Sequence, residues 1–262
     1  MQHSTRAVRI VTCILTIMLQ ACASMPNSAV NDPWEDWNRD VQAFNDHLDD
    51  YVMKPVAEAY RWITPDFVDR GITNFFSNID DVGVVINDFL QVKFEQGGMD
   101  TGRFLVNTTA GVGGFVDVAS MIDLPKHNED FDQTLGVWGV PMGPYMVLPI
   151  FGPSSPRGIM GLIGDALLNP LTYFGFISDL TSAISGGLGA VNAIDTRAEL
   201  LEAERIADEA AIDRYQFFRD AYLQQRENLL KDGNIEEENS EFELDSLYTT
   251  KKGKLVETSA NY

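Results

Sequence analysis

The sequence contains three histidines and two cysteines, so the side chains able to serve as nucleophile, general base or soft metal ligand can be weighed one at a time. His127-Asn128-Glu129-Asp130 sets an imidazole beside two carboxyl groups, the components of a general acid–base pair. The run follows Pro125 and is polar throughout, which favours a hydrated turn. Ser154 and Ser155 lie between Pro153 and Pro156, without a histidine nearby and without the Gly-x-Ser-x-Gly elbow that exposes a nucleophile. Gly111-Val112-Gly113-Gly114 follows a helical pattern and lacks the third glycine of a dinucleotide fingerprint; it reads as a turn or a close-packing site. No Gly-x-x-x-x-Gly-Lys-Ser/Thr loop is present, so nothing here drives work by nucleotide hydrolysis. His47 and His127 are not at a zinc spacing, which leaves a metal without its usual ligands. The pattern predicts no enzyme, no metal and no dissociable cofactor.

The remaining reactive side chain is Cys22. Arg6 and Arg9 make a positive segment, Ile10 to Leu19 an apolar run of ten residues, and Leu19-Gln20-Ala21-Cys22 follows. Ten residues are too few to span a bilayer as a helix. The arrangement resembles a bacterial lipoprotein signal, which implies cleavage before Cys22, a diacylglycerol on its sulfur and an acyl chain on its new amino group. A plain secretory signal with an incidental cysteine is the alternative. Cys13 falls in the discarded segment, 1–21, so no internal disulfide is expected. Ala23 and Ser24 lack the aspartate that retains such lipoproteins at the inner membrane, and the resemblance therefore implies the outer membrane.

Composition narrows the partners. Of 262 residues 45% are apolar, enough to exclude wholesale disorder. Nineteen basic against 39 acidic side chains give a net charge of −20, with no basic stripe to neutralise phosphates, so nucleic acid is excluded as a partner. The same sign disfavours attraction to anionic headgroups; membrane association must come from apolar burial or covalent lipid.

The elements that would position these residues are helical. Residues 22–31 read as a lipidated tether, 32–231 as one helical domain, and 232–262 as an acidic, disordered tail. Asp32-Pro33-Trp34-Glu35 predicts a helix start with Asp32 as cap, and Trp34, Trp37, Val41, Phe44, Leu48 and Tyr51 follow as an apolar seam expected to pack, until Lys54-Pro55 breaks the helix. Phe44 and Asn45 interrupt that seam with an amide beside an aromatic. Thr64-Pro65 starts a second helix with Val68, Ile72, Phe75, Phe76 and Ile79 on one face, extended by Val82, Val85, Ile86, Phe89 and Leu90 up to Gly97-Gly98. Residues 136–158 interleave five glycines and five prolines and cannot form a continuous helix. Residues 133–156 carry no charge, and 158–194 carry only Asp165 and Asp179, split at Asn169-Pro170. Such segments are buried or lie in the membrane interface, with Trp138, Tyr145, Tyr173 and Phe174 as candidate membrane or porin contacts. Thr196 to Glu199 fits a capping box opening a long, partly solvated helix over 197–231.

Four blocks of this chain resemble the MlaA (VacJ) family of outer-membrane lipoproteins. The first is Asp32-Pro33, Glu35, Asn38-Arg39, Phe44-Asn45, Asp49, Tyr51-Val52, Lys54-Pro55-Val56-Ala57 and Tyr60-Arg61. Asn74-Phe75, Asn78, Asn87 and Leu90-Gln91 make the second, and Arg103-Phe104, Asn107, Gly111, Gly113-Gly114-Phe115, Asp117 and Ala119 the third. The fourth runs from Glu129-Asp130-Phe131 through Gln133-Thr134-Leu135-Gly136 and Val147-Leu148-Pro149 to Arg157. Locally the chain departs from the pattern: Val92 and Asp132 stand where glycine is usual, Val82 where proline is, and Gly158 where an aspartate often follows the arginine.

The resemblance implies an all-α protein, a ring of amphipathic helices with Gly/Pro-rich loops lying in one leaflet of the outer membrane and embedded from the periplasmic side. It implies a central channel through which mislocalised phospholipids leave the outer leaflet for a periplasmic lipid-carrier protein, which maintains lipid asymmetry. It also implies association with trimeric porins. Phe44, Asn45, Gly111, Gly113 and Gly114 are the candidate channel or gate residues, Cys22 the lipid attachment site. A porin-associated structural lipoprotein that carries no lipid is the alternative.

Overall fold

A computed structural model of the chain describes residues 32–174 and 179–232. The lipoprotein signal, Cys22, the tether and the acidic tail after Asp232 lie outside the described residues. Helices α1 (Glu35–Leu48), α2 (Lys54–Ile63), α3 (Asp66–Leu90), α4 (Phe94–Thr109), α5 (Val118–Met121) and α6 (Phe131–Val137) precede a hairpin, β1 (Met146–Leu148) and β2 (Gly152–Ser154). Then come α7 (Pro156–Leu168), α8 (Pro170–Phe174), α9 (Asp179–Ala210) and α10 (Arg214–Leu230). The all-helical expectation holds apart from this antiparallel hairpin, in which Met146 pairs with Ser154 and Leu148 with Gly152.

The helix starts follow local chemistry. Ser155 caps α7 by accepting from the Gly158 N–H at 3.0 Å, with Pro156 in the first turn, where no N–H is needed. Asp130 accepts from the Gln133 N–H at 2.8 Å to cap α6. Four boundaries differ from expectation. The first helix begins at Glu35, with Trp34 at the cap position, two residues later than the Asp32-Pro33 pattern predicts. Lys54-Pro55 does not break the chain's course: a π-helical turn over Asp49–Met53 leads into α2, and Pro55 falls in its first turn. Gly97-Gly98 do not end a helix. The break comes at Gln91–Lys93, where Val92 takes φ +66°, and Gly97 lies inside α4 because a Cβ there would stand 3.1 Å from the Asp88 Cβ. The capping box at Thr196 is unused: Asp195 spends its carboxylate on Tyr60 Oη (2.8 Å) and Thr73 Oγ1 (2.9 Å), and α9 runs on to Ala210. Asp213 supplies the cap instead, accepting from the Gln216 N–H at 3.2 Å.

The seam on α1 is also corrected. Val41 is buried, but Trp34, Trp37, Phe44 and Tyr51 are exposed. The inward face is Asn38-Val41-Asn45-Leu48, because two carboxamides complete the open edge of the hairpin. Asn38 Nδ2 donates to the Tyr145 carbonyl at 3.2 Å while its Oδ1 accepts from the Val147 N–H at 2.8 Å. One step along, Asn45 Nδ2 donates to the Leu148 carbonyl at 2.9 Å and its Oδ1 accepts from the Ile150 N–H at 2.7 Å. A buried backbone edge must be paired, and asparagine offers donor and acceptor together.

Elsewhere α4 packs along α3, α7 along α6, and α9 along α2 and α3. At Gly161 of α7 an added Cβ would lie 2.7 Å from the Asp132 Cβ, so only glycine allows α6 to come this close. An apolar core of Val41, Tyr145, Val147, Tyr215 and Tyr222 joins α1, the hairpin and α10.

Candidate functional site

Around α3, α4, α6 and α7 the usual distribution of side chains is reversed. Helix α3 buries Asn78, Asp81, Asn87 and Asp88; α4 buries Asp100, Arg103 and Asn107; α6 buries Asp132, Gln133 and Thr134. Many outward positions are apolar, beside the exposed Asp66, Arg70, Asp80 and Glu95. Trp62 is 87% exposed and Phe67 76%, and Phe94, Leu105, Met160, Ile163 and Leu167 are exposed as well. In water such a surface would cost about 25 cal/mol for each Å² of apolar area left unburied. The interior is affordable only because its polar groups are bonded to each other.

Those bonds form two linked networks. Thr134 Oγ1 donates to Asn87 Oδ1 at 2.8 Å, and Gln91 Nε2 donates to Glu129 at 2.8 Å and to Thr134 Oγ1 at 3.2 Å. Lys93 reaches Glu129 at 2.9 Å. His127 Nδ1 meets Asp100 Oδ2 at 2.8 Å. The 127–130 segment is thus only partly the hydrated turn its composition predicts: Asn128 is exposed and His127 and Asp130 are half-buried, but Glu129 is buried among partners from α3 and the turn after it. In the second network Arg103 donates to both oxygens of Asp117 at 3.1 Å and to the Leu124 carbonyl at 2.7 Å. Hydrogen bonds to Ser120, Asn107 and Arg103 outweigh burial and hold Asp117 down at about 2. Arg157, itself buried, grips Asp132 at 2.8 Å, and Arg226 of α10 pairs with Asp130. A recess of about 270 Å³ opens on this interior, lined among others by Asp80, Val84, Gln133 and Asp165. Burial pushes the Asp165 carboxyl up to about 6.

The sequence-predicted residues divide among these parts. Asn45 binds the hairpin, with Phe44 pointing outward beside it. Gly111, Gly113 and Gly114 form the tight turn after α4, where Gly114 takes φ +95° and an added Cβ would lie 2.6 Å from the Asn78 Cβ. The two halves of the candidate gate thus serve different elements, one the hairpin and one α3. Trp138 is exposed and donates from Nε1 to the Leu90 carbonyl at 3.1 Å; Tyr173 is exposed too. Tyr145 is corrected: it is buried against Tyr215 and Tyr222, with ring centroids 6.0 and 5.8 Å away, and offers no surface to membrane or porin. The Phe174 side chain and Cys22 lie outside the described residues. Missed by pattern reading were the inward polar residues themselves. Asn78, Asp81, Asp88 and Gln91 recur at helical spacing, a signal masked by the longer apolar stripe on the same helix.

Apolar side chains outward around an interior of bonded polar groups define a class: helical proteins whose outer face meets lipid and whose inside accommodates charge. Among the described residues no helix is long and apolar enough to cross a membrane, and no group of three or more His, Cys, Asp or Glu is placed to hold a metal ion. Within that class the chain belongs to the MlaA lipoprotein family, whose profile matches residues 30–229. It is 35% identical over 226 residues to the intermembrane phospholipid transport system lipoprotein MlaA of Shigella flexneri, covering 84% of this chain and 87% of that one. The protein of the same name from Haemophilus influenzae is 32% identical over 236 residues, covering 87% and 92%. An uncharacterised protein of Rickettsia felis is 36% identical over 199 residues, covering 76% and 77%. A solved structure reported under the heading "Structural basis for maintenance of bacterial outer membrane lipid asymmetry" is similar with a TM-score of 0.66 and 35% identity, over 76% of this chain and 99% of that one.

Proposed function

We propose that this chain is an outer-membrane lipoprotein that removes mislocalised phospholipids from the outer leaflet and passes them to a periplasmic lipid carrier, so maintaining lipid asymmetry. The observation that carries this reading is the reversed distribution of side chains. A phospholipid in transit needs a path that tolerates a charged headgroup beside apolar surface for its chains, and a bonded polar interior with an acidic recess supplies the first requirement. The helices lie flat within one leaflet, entered from the periplasmic side and arranged as a ring about a central channel, and the acylated Cys22 adds a covalent anchor. Trp138 and Tyr173 face lipid or a trimeric porin at headgroup level. Asn45, by fixing Leu148 and Ile150, positions the hairpin tip, which makes α1 and the glycine turn at Gly111 to Gly114 the elements that set the channel opening. No step of this task breaks or makes a covalent bond, and the chain is not an enzyme.

The experiment is a deletion strain complemented with the native chain. Outer-leaflet phospholipid should rise on deletion and fall on complementation, and the purified protein should carry phospholipid. An unchanged outer leaflet, with porins disturbed instead, would point to a scaffold that moves no lipid. Released fatty acid would point to hydrolysis.

A further inference from the structure

At the α3–α4 junction one buried carboxyl group has no basic side chain for a partner among the described residues. Asp81 meets Lys126 at 3.1 Å, Glu129 meets Lys93 at 2.9 Å, Asp117 meets Arg103 at 3.1 Å, and Asp100 meets the His127 ring at 2.8 Å. Asp88 meets none of them. It is fully buried at 0% exposure, one oxygen accepts from Gln96 Nε2 at 2.8 Å, and the other has no donor among the described residues. The Asp100 carboxylate, 1% exposed, lies within hydrogen-bonding reach of it. Helix α4 closes over this side chain at Gly97, so Asp88 has no room to turn toward solvent. Two carboxylates facing each other in a buried site do not both ionise, and a charged oxygen without a donor is costlier still.

We propose that Asp88 keeps its proton at neutral pH and donates it to Asp100, making the α3–α4 junction a latch that loosens when the proton is lost. Protonation turns the orphaned oxygen into a donor and gives Asp100 the partner it lacks on that side. Release sends the proton to solvent and leaves two like charges facing each other across the junction. The surroundings agree: burial first, then the neighbouring Asp100 and Glu129, push Asp88 up to about 7. Facing the pair are Asp81 from α3, Lys93 from the turn, Asp100 and Arg103 from α4, and Lys126, His127 and Glu129 from the segment before α6. Lys93, Arg103 and Lys126 are each already bound to another carboxylate. The folded pKa stands above the unfolded value of 3.8, so the folded chain holds the extra proton between them. Stability from this group is therefore complete below about pH 4, falls as pH rises, and levels off above about pH 7.

The test uses the full lipidated protein in nanodiscs, with Tm followed from about pH 4 to about pH 8. The native chain should lose about 5 °C or more over that range. Asp88→Asn, which keeps the shape of the protonated acid and its donor, should lose measurably less, the remaining fall coming from Asp80 and Asp165, whose carboxyls burial also pushes up to about 6. His127→Gln should retain the native slope, which separates the carboxyl pair from the imidazole beside it. An Asp88→Asn slope equal to the native one, or a slope abolished by His127→Gln, would overturn the proposal. Should Asp88→Asn fail to fold, infrared spectroscopy of the native chain decides. A protonated-carboxyl stretch should be present at neutral pH and shift in Asp100→Asn; its absence, or its indifference to Asp100→Asn, would contradict the shared proton.

Discussion

The α3–α4–α6 region and the hairpin–α10 region of this chain obey opposite solvent rules. In the first, Asn, Asp, Gln and Arg lie inside and Phe67, Phe94 and Leu105 outside. In the second, Tyr145, Val147, Tyr215 and Tyr222 lie inside, while Gln216, Asp220, Gln224 and Glu227 of α10 face outward. The mostly polar outer face of α10 is what water imposes; the first region, and the hairpin tip with Ile150 and Phe151 exposed, make sense where the outside is apolar. The seam between the two regions is held by charge-assisted bonds from Arg226 of α10 to Asp130 and, at 3.6 Å, to Asp132. Two faces suited to different solvents are what the proposed function asks of a single helical protein.

The comparison breaks most severely where a buried charge loses its partner. Asp132→Ala leaves Arg157 uncompensated in the buried contact of α6 with α7 and should cost about 3–5 kcal/mol, read as a lowered denaturation midpoint in detergent. Next is the second region's polar fastening. Asn38→Ala strips partners from the Tyr145 carbonyl and the Val147 N–H and should cost about 2 kcal/mol by the same measurement, with the hairpin amides losing protection in hydrogen exchange first. Val92 sharpens the contrast in the other direction. A β-branched residue at φ +66° is strained, so Val92→Gly should stabilise the chain by about 1 kcal/mol and raise Tm. The smallest effect on folding belongs to the outer face. Phe67→Gln should change stability in detergent by no more than about 0.5 kcal/mol, yet weaken recovery with membranes, whereas Gln216→Ala should change neither.

Much of the helical framework was legible because proline and capping residues act locally: the helix expected from Thr64-Pro65 begins at Asp66, and the split expected at Asn169-Pro170 separates α7 from α8. What failed was the assumption that apolar stripes point inward. Trp37 and Phe44 gave the correct period on α1 and the wrong face, because the hairpin edge that claims Asn38 and Asn45 lies more than a hundred residues away in sequence. Long-range pairing likewise turned Asp195 from an expected helix break into a tertiary acceptor. Tyr145 was misplaced because its aromatic partners, Tyr215 and Tyr222, come from the other end of the chain. Val92 is the reverse case. Standing where the family pattern has glycine, it takes a left-handed backbone that such a position requires.

On the proposed function, the exposed apolar side chains of α2, α3 and α7 sit in lipid and the polar outer face of α10 in water. Spin labels placed singly at Trp62, Phe67 and Met160, and at Gln216, Gln224 and Glu227, test it in nanodiscs by their relative collision with oxygen and with a water-soluble nickel chelate. The account predicts that the first three labels collide preferentially with oxygen and the second three with the chelate. Equal access of the chelate to both sets would contradict it.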